Sequence, residues 1–185
     1  MAGHDIGGAV AQHLAVHAPE RVRHLVLVNS VLYDSWPVPA VARFRDPATR
    51  TATTPQKFRD GRREALARAT TRRLDEVATA EYLSPWDDGR RIRSWMAMAA
   101  AADARYTLDL LPALRKQAPP TLLIWGAEDD FQPVSYAERF AAETPSAELV
   151  TVTGARHIPM EDDPDRVAGE LLAFLEFITL TEEVE

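Results

Sequence analysis

The sequence predicts an α/β fold, in which a mostly parallel sheet is flanked by helices and interrupted by an inserted helical segment. One observation is the short, continuous apolar run at 25–28, which is typical of a strand covered on both faces. Another is the alternation of strand-like and helix-like patterns after Pro119-Pro120. The insertion is indicated by residues 34–117, where the pattern contains no convincing strand.

Composition excludes several classes of protein. A net charge of −7 argues against a nucleic-acid partner, because phosphate binding favours a basic face. No apolar run approaches the roughly 20 residues of a membrane span, and no secretory signal is visible. The absence of cysteine excludes disulfides and thiolate metal sites. We therefore expect a cytoplasmic protein without a nucleic-acid or membrane partner.

Residues 1–33 form the first core segment. Gly3-x-Asp5-x-Gly7 has the shape of a nucleophile elbow, a sharp turn from strand to helix that exposes the central side chain in a strained position. Glycines on either side would leave room for the tight turn. A carboxylate there can attack carbon and form a covalent ester. Apolar residues recur at helical spacing after the turn, and a strand follows at 25–28.

Residues 34–117 form the helical insertion. Prolines divide its first part, and two helical stretches follow at 58–77 and 89–102. The first stretch is rich in arginine, which could indicate an anion-binding face. Because acidic residues are interleaved, we expect a solvated helix with ion pairs along it instead.

Residues 118–178 return to the core pattern, and 179–185 are predicted to be a solvated tail. Strands are predicted at 121–125 and 148–152, and helices at 134–142 and 164–177.

Two further motifs follow strands of this last segment. Asp129 lies just past the strand at 121–125, and His157 lies in the loop after the next strand. The order Asp5, Asp129, His157 is that of nucleophile, acid and histidine in a known hydrolase arrangement. Asp5 would form an ester, His157 would activate water to hydrolyse it, and Asp129 would orient the imidazole. The backbone N–H of Ile6 would stabilise the oxyanion, and no metal or cofactor is needed.

The segments GHDIGGAVAQHLA, LLIWGAEDDFQP and GARHIPMEDDPDRV resemble the α/β-hydrolase superfamily. Within it they resemble the epoxide hydrolase and haloalkane dehalogenase branch, whose nucleophile is an aspartate. The resemblance covers roughly half of the chain and implies that the insertion is a cap closing over the substrate.

The resemblance also implies a substrate class, a small apolar electrophile. Dehalogenases of this branch commonly carry a halide-binding tryptophan after the nucleophile, where this chain has Ile6, so an epoxide is favoured over a haloalkane. Tyr82 and Tyr106 are candidates to donate a hydrogen bond to an epoxide oxygen. His4, beside the nucleophile, and Trp36 complete the candidate substrate contacts.

The family fold places several strands before the elbow, and the sequence has none there. This predicts a C-terminal portion of the fold, truncated at the N-terminus. Two alternatives stay open: an ester or lactone hydrolase of the same fold, and an inactive truncated protein. A sheet edge and apolar faces left uncovered would favour aggregation or partner binding, including a homodimer.

Overall fold

The computed structural model describes the backbone of residues 1–182 and the side chains of residues 1–176. Its four strands form one parallel sheet whose spatial order follows chain order. The strands are β1 (Ala2–Asp5), β2 (Leu25–Ser30), β3 (Thr121–Gly126) and β4 (Ala147–Val152). The predicted α/β class with a parallel sheet flanked by helices is confirmed.

Helices cover both faces of the sheet and fill the chain between β2 and β3. The α-helices of the described residues are α1 (Ile6–His17), α2 (Pro39–Ala42), α3 (Pro47–Ala52), α4 (Pro55–Ala69), α5 (Glu76–Leu83), α6 (Gly89–Ala101), α7 (Arg105–Leu108), α8 (Leu111–Gln117), α9 (Val134–Glu143), α10 (Pro159–Asp162) and α11 (Pro164–Glu182). Short 3₁₀ helices occur at Pro19–Arg21, Arg43–Arg45 and Ser84–Asp87.

The central strands β2 and β3 are buried along their whole length, which explains their continuous apolar sequences. Alternate side chains enter two separate cores. Leu25, Leu27 and Trp125 pack in the core that includes residues of α1, α8 and α9. Val26 and Ile124 pack with side chains of α11 on the opposite face. Burying each such aliphatic side chain stabilises the fold by about 1.5–3 kcal/mol.

The helical insertion has a small core of its own, formed by Phe44, Phe58, Ile92, Met96 and Ala99. The predicted helix at 58–77 is wrong in its bounds, because α4 ends at Ala69 and α5 begins only at Glu76.

Contacts with the histidine loop explain the break between α4 and α5. The Ile158 N–H donates to the Ala69 carbonyl at 2.9 Å. The N–H groups of Thr71 and Arg72 donate to Asp162 Oδ1 at 2.7 and 3.2 Å. The insertion is thereby fastened to the loop that carries His157.

The last helix is longer than predicted. It runs from Pro164 to Glu182, past the predicted end at 177. Residues 179–182 of the predicted solvated tail lie in this helix, and 183–185 lie outside the described residues. Among the described residues, no helix is both long enough and apolar enough to span a membrane.

Close packing at the β1–α1 turn depends on Gly3, which the motif names, and on Gly8, which it does not. A Cβ at Gly3 would lie 2.5 Å from the Gly7 carbonyl oxygen, so a side chain is excluded there. A Cβ at Gly7 would meet nothing within 4 Å, so the expectation that Gly7 is needed for space is wrong. Gly8 is the second tight position, because its Cβ would lie 1.8 Å from Ser30 Oγ.

We expect Gly8→Ala to lower the free energy of unfolding by about 1–3 kcal/mol, the usual cost of overpacking. Gly7→Ala is the matched control on the same helix. It should be neutral or stabilising by up to about 1 kcal/mol, because alanine favours helix more than glycine does. Urea denaturation followed by circular dichroism measures both, and equal stability of the two variants would contradict this account of the turn.

Candidate active site

The carboxyl ends of parallel strands meet at one edge of the sheet, and polar side chains gather there. Asp5 ends β1 and Asn29 lies near the end of β2. Asp129 follows β3, and His157 lies in the loop after β4. Open α/β sheets place ligands in a crevice at these ends.

Asp5 occupies the strained turn that the motif predicts. Its φ of 49° lies in the left-handed region, which non-glycine residues rarely adopt. The Asp5 carbonyl accepts a hydrogen bond from the Val31 N–H at 3.2 Å, which ties the turn to the end of β2. The Asp5 side chain is 44% exposed. Ile6 begins α1, so its N–H has no acceptor within the helix.

His157 lies between the two carboxylates. Its Nδ1 is 2.9 Å from Asp129 Oδ2, and its Nε2 is 3.7 Å from Asp5 Oδ1. Because the ionised carboxylate can only accept, Nδ1 carries the proton in neutral His157 and Nε2 presents a lone pair. The 3.7 Å separation exceeds a direct hydrogen bond. Nε2 is therefore free to accept a proton from a water beside Asp5.

Opposing effects act on the pKa of His157. Burial lowers the pKa of His157, and the positive charge of Arg62 adds to this effect. The hydrogen bond to Asp129 and the negative charges of Asp129 and Asp5 raise it, and they prevail. The pKa of His157 therefore lies above its ordinary value.

Asn29 holds Asp129 in place, a role that the sequence did not indicate. Asn29 Nδ2 donates to Asp129 Oδ2 at 2.7 Å, and Asn29 Oδ1 accepts from the Gly126 N–H at 2.9 Å. The Phe131 N–H donates to Asp129 Oδ1 at 2.7 Å. These donors compensate a carboxylate whose side chain is fully buried. The available signal was a polar residue directly after the apolar run of a buried strand.

His4 contacts His157 from the other side. Its Nε2 lies 2.7 Å from the His157 carbonyl oxygen, so Nε2 carries the proton and donates. The two rings lie 4.9 Å apart between centroids. Burial lowers the pKa of His4, which favours its neutral form.

A cavity of about 580 Å³ opens above Asp5 and His157. Most of its wall is apolar and comes from the helical insertion, with the aromatic side chains of Phe44, Phe58, Trp86 and Trp95. Ile6 contributes an aliphatic side chain beside Asp5. The wall therefore suits a small apolar molecule.

The structure brings all four predicted substrate contacts, His4, Trp36, Tyr82 and Tyr106, to this cavity. Trp36 Nε1 is already engaged, donating to Thr107 Oγ1 at 2.7 Å. The Tyr82 hydroxyl donates to Glu161 at 2.9 Å, and burial together with this contact raises the pKa of Tyr82 to about 12. Tyr106 is 54% exposed, and its hydroxyl makes no hydrogen bond to the described residues.

Among the described residues, no group of three or more His, Asp or Glu side chains is arranged to hold a metal ion.

We expect Asn29→Ala to lower the free energy of unfolding by about 1–3 kcal/mol, because Asp129 loses a donor and the Gly126 N–H loses its acceptor. Gln56→Ala is the matched control, since the Gln56 amide also donates to a carboxylate, that of Asp60, but at an exposed site. Its effect should stay within about 0.5 kcal/mol. Urea denaturation compares the two, and similar small effects would contradict the structural role of Asn29.

Comparisons with known proteins agree with this geometry. A family model described as the alpha/beta hydrolase family matches residues 1–170. The chain is 29% identical over 180 residues to haloalkane dehalogenase 2 of Mycobacterium tuberculosis, covering 92% of this chain and 62% of that protein. It is 30% identical over 180 residues to a pimeloyl-[acyl-carrier protein] methyl ester esterase of Nitrosomonas europaea, covering 90% and 67% respectively.

The same likeness extends to solved structures. An alpha/beta hydrolase fold protein from Burkholderia ambifaria matches with a TM-score of 0.83 at 21% identity, covering 93% of this chain and 64% of that chain. At this identity the match supports the fold alone. The chain spans about half to two thirds of the length of curated relatives, 45% of one and 62% of another. The predicted superfamily and the likeness to the dehalogenase branch are confirmed, and the chain belongs to the alpha/beta hydrolase family.

Proposed function

We propose that this site hydrolyses a small apolar electrophile through a covalent ester on Asp5, with an epoxide favoured and a haloalkane as the second substrate class. The residues form a triad in which Asp5 is the nucleophile, His157 the base and Asp129 the residue that orients the base. The helical insertion acts as the cap over the substrate.

One observation carries this proposal. A carboxylate, and no hydroxyl, occupies the strained turn at φ 49°, beside the free Nε2 of a histidine held by Asp129. An ionised carboxylate is already a nucleophile toward alkyl carbon and needs no base for the first step. The histidine is thus left for the second step, the activation of water.

In the first step, an Asp5 carboxylate oxygen attacks an epoxide carbon and the ring C–O bond breaks. The electron pair stays on the epoxide oxygen, which takes a proton from a donor in the cavity. Tyr106 suits this role better than Tyr82, whose hydroxyl is bound to Glu161. A haloalkane would instead release a halide anion, for which neither the Ile6 side chain nor the engaged indole of Trp36 supplies a donor.

In the second step, His157 Nε2 takes a proton from water as the oxygen attacks Cγ of the Asp5 ester. The N–H of Ile6, at the N-terminus of α1, would stabilise the resulting oxyanion. Collapse of this intermediate breaks the bond between Cγ and the alkoxide, which leaves with the proton from His157. The product is a diol and His157 is neutral again. Asp5 is left as a carboxylic acid, and transfer of its proton through water to the deprotonated donor of the first step restores both groups.

The charge of Asp5 links the two steps. In the free site it helps to keep the pKa of His157 above the ordinary value. Esterification removes that charge, so the pKa of His157 should fall in the intermediate. The imidazole therefore becomes more readily available as a neutral base at the stage where it must deprotonate water.

Ester hydrolysis by the same fold is the second candidate. It is favoured by the 30% identity to the methyl ester esterase named above. In this reading Asp5 would act as a base toward water. Ester hydrolysis ranks lower than the proposed reaction. If Asp5 attacked an acyl carbon as a nucleophile, it would form an anhydride, which offers little gain.

Trapping the covalent ester tests the proposal. We expect His157→Gln, incubated with styrene oxide, 1,2-epoxyhexane or 1-bromohexane, to accumulate an ester because water is no longer activated. Intact-protein and peptide mass spectrometry should show one added epoxide, or one added alkyl group for the bromide, on Asp5.

The double variant Asp5→Asn/His157→Gln is the control and should show no adduct. A folded His157→Gln protein that gains no mass with any of the three probes contradicts the covalent mechanism. An adduct that persists without Asp5 contradicts its assignment as the nucleophile.

The coupling between charges has its own test, titration of the His157 ring by NMR. We expect the pKa of His157 to fall in Asp5→Asn, a neutral mimic of the ester, and to fall further in Asp129→Asn, where the hydrogen bond changes as well. Asp130→Asn removes a charge from an exposed neighbour and should leave the midpoint unchanged. Equal midpoints in the wild type and Asp5→Asn would contradict the link between the steps.

A further inference from the structure

Arg62 is a cation in the cavity wall that forms no ion pair with a carboxylate of residues 1–176. It lies on α4 and lines the same cavity as Asp5 and His157. Its guanidinium carbon stands 5.2 Å from the ring centre of Trp86 and 5.4 Å from that of Trp95. Its Nε is buried without a hydrogen-bond partner, and no carboxylate within residues 1–176 lies at ion-pairing distance from it.

Several other arginines of the structure either pair with a carboxylate or lie exposed. Arg59 on the same helix pairs with Asp87, and Arg63 is exposed. Arg115 and Arg139 both pair with Glu143. The prediction that the arginines of α4 form a solvated face is therefore wrong for Arg62, because helix packing turns this position toward the cavity.

Stacking against tryptophan does not fully compensate the burial of a charge. Contact with an aromatic face stabilises a cation by less than partial burial without a counter-charge costs it. Stacking also leaves the N–H groups at the edge of the guanidinium available, and it holds their plane in a fixed orientation. A planar anion can accept two of these N–H groups at once.

The geometry points to a carboxylate on the substrate, which Arg62 binds while the electrophilic carbon of the same molecule lies at Asp5. This inference rests on the proposed function for the reaction, but the binding of a carboxylate can be measured without it. The substrate class would then be apolar acids that carry an epoxide or a halide.

Charge within the cavity supports this assignment. Asp5 lines the cavity and Asp129 is buried behind His157, so the carboxylate of a substrate would be repelled unless a cation compensated it. The charge of Asp5 is close enough to act on Arg62, where it opposes the effect of burial on the guanidinium pKa. A small molecule can therefore span the two groups within the 580 Å³ cavity.

Arg43 is the rival group. It also lines the cavity, but it is exposed, and its guanidinium lies over the Phe44 ring at 4.9 Å. A charge in contact with water is screened, so its contribution to selective binding should be small.

The test compares hexanoate with hexanamide, an uncharged molecule of nearly the same shape, as ligands of the whole chain. Binding is followed by tryptophan fluorescence and by isothermal titration calorimetry. The wild type should bind hexanoate at least about tenfold more tightly than hexanamide, as expected for a charge-assisted pair of hydrogen bonds. Arg62→Met should abolish this preference and leave hexanamide affinity within about threefold.

Two further variants make the result specific. Arg63→Met is the matched control, because it removes the same charge from an exposed position next in sequence, and it should keep the preference. Arg62→Lys keeps the charge but not the planar pair of donors, and it should retain part of the preference. If the Arg62→Met protein does not fold, Arg62→Gln takes its place in the comparison.

Three results would overturn the inference: no preference or no hexanoate binding in the wild type, a preference that survives in Arg62→Met, or one that is lost only in Arg43→Met. None of them depends on chemistry at Asp5. Failure of adduct formation in His157→Gln would instead count against the proposed reaction, so the two failures are distinguishable.

Discussion

The parallel pairing of four strands is the constraint on which the site depends. It brings the ends of β1, β2 and β3 and the loop after β4 to one edge of the sheet. Asp5, Asn29, Asp129 and His157 meet there although up to 152 positions separate the first from the last in the 185-residue chain. The burial of β2 and β3 fixes this pairing, because a one-residue slip in register would move each side chain into the core on the opposite face.

Hydrogen bonds at this edge of the sheet offset the cost of burying a charged side chain. The Asp129 carboxylate is fully buried, but Asn29, Phe131 and His157 satisfy it. Asp5 faces the cavity instead, 3.7 Å from His157 Nε2, and its carboxylate accepts no hydrogen bond from the described side chains. Its oxygens are therefore available to a substrate. One carboxylate is thus fixed to orient a base, and the other stays free to react.

The sequence could predict those parts that depend on local pattern. The strands β2 and β3 were visible because burial on both faces demands continuous apolar residues. Asp129 and His157 were visible because each follows a predicted strand, and Asp5 because it lies in the Gly-x-Asp-x-Gly motif. Tertiary contacts decided the rest. The end of α4 depends on hydrogen bonds with Ile158 and Asp162. The space at Gly8 depends on Ser30, and the environment of Arg62 depends on two tryptophans from other helices.

The central claim is that Asp5 itself attacks carbon, and the fate of oxygen in a single turnover tests it most directly. Wild-type protein in molar excess over 1,2-epoxyhexane would react once in H₂¹⁸O. If Asp5 is the nucleophile, the first diol carries no ¹⁸O and the peptide containing Asp5 gains the label, because water attacks the ester carbonyl. Label in that first diol, with none in Asp5, would show direct attack by water and contradict the account.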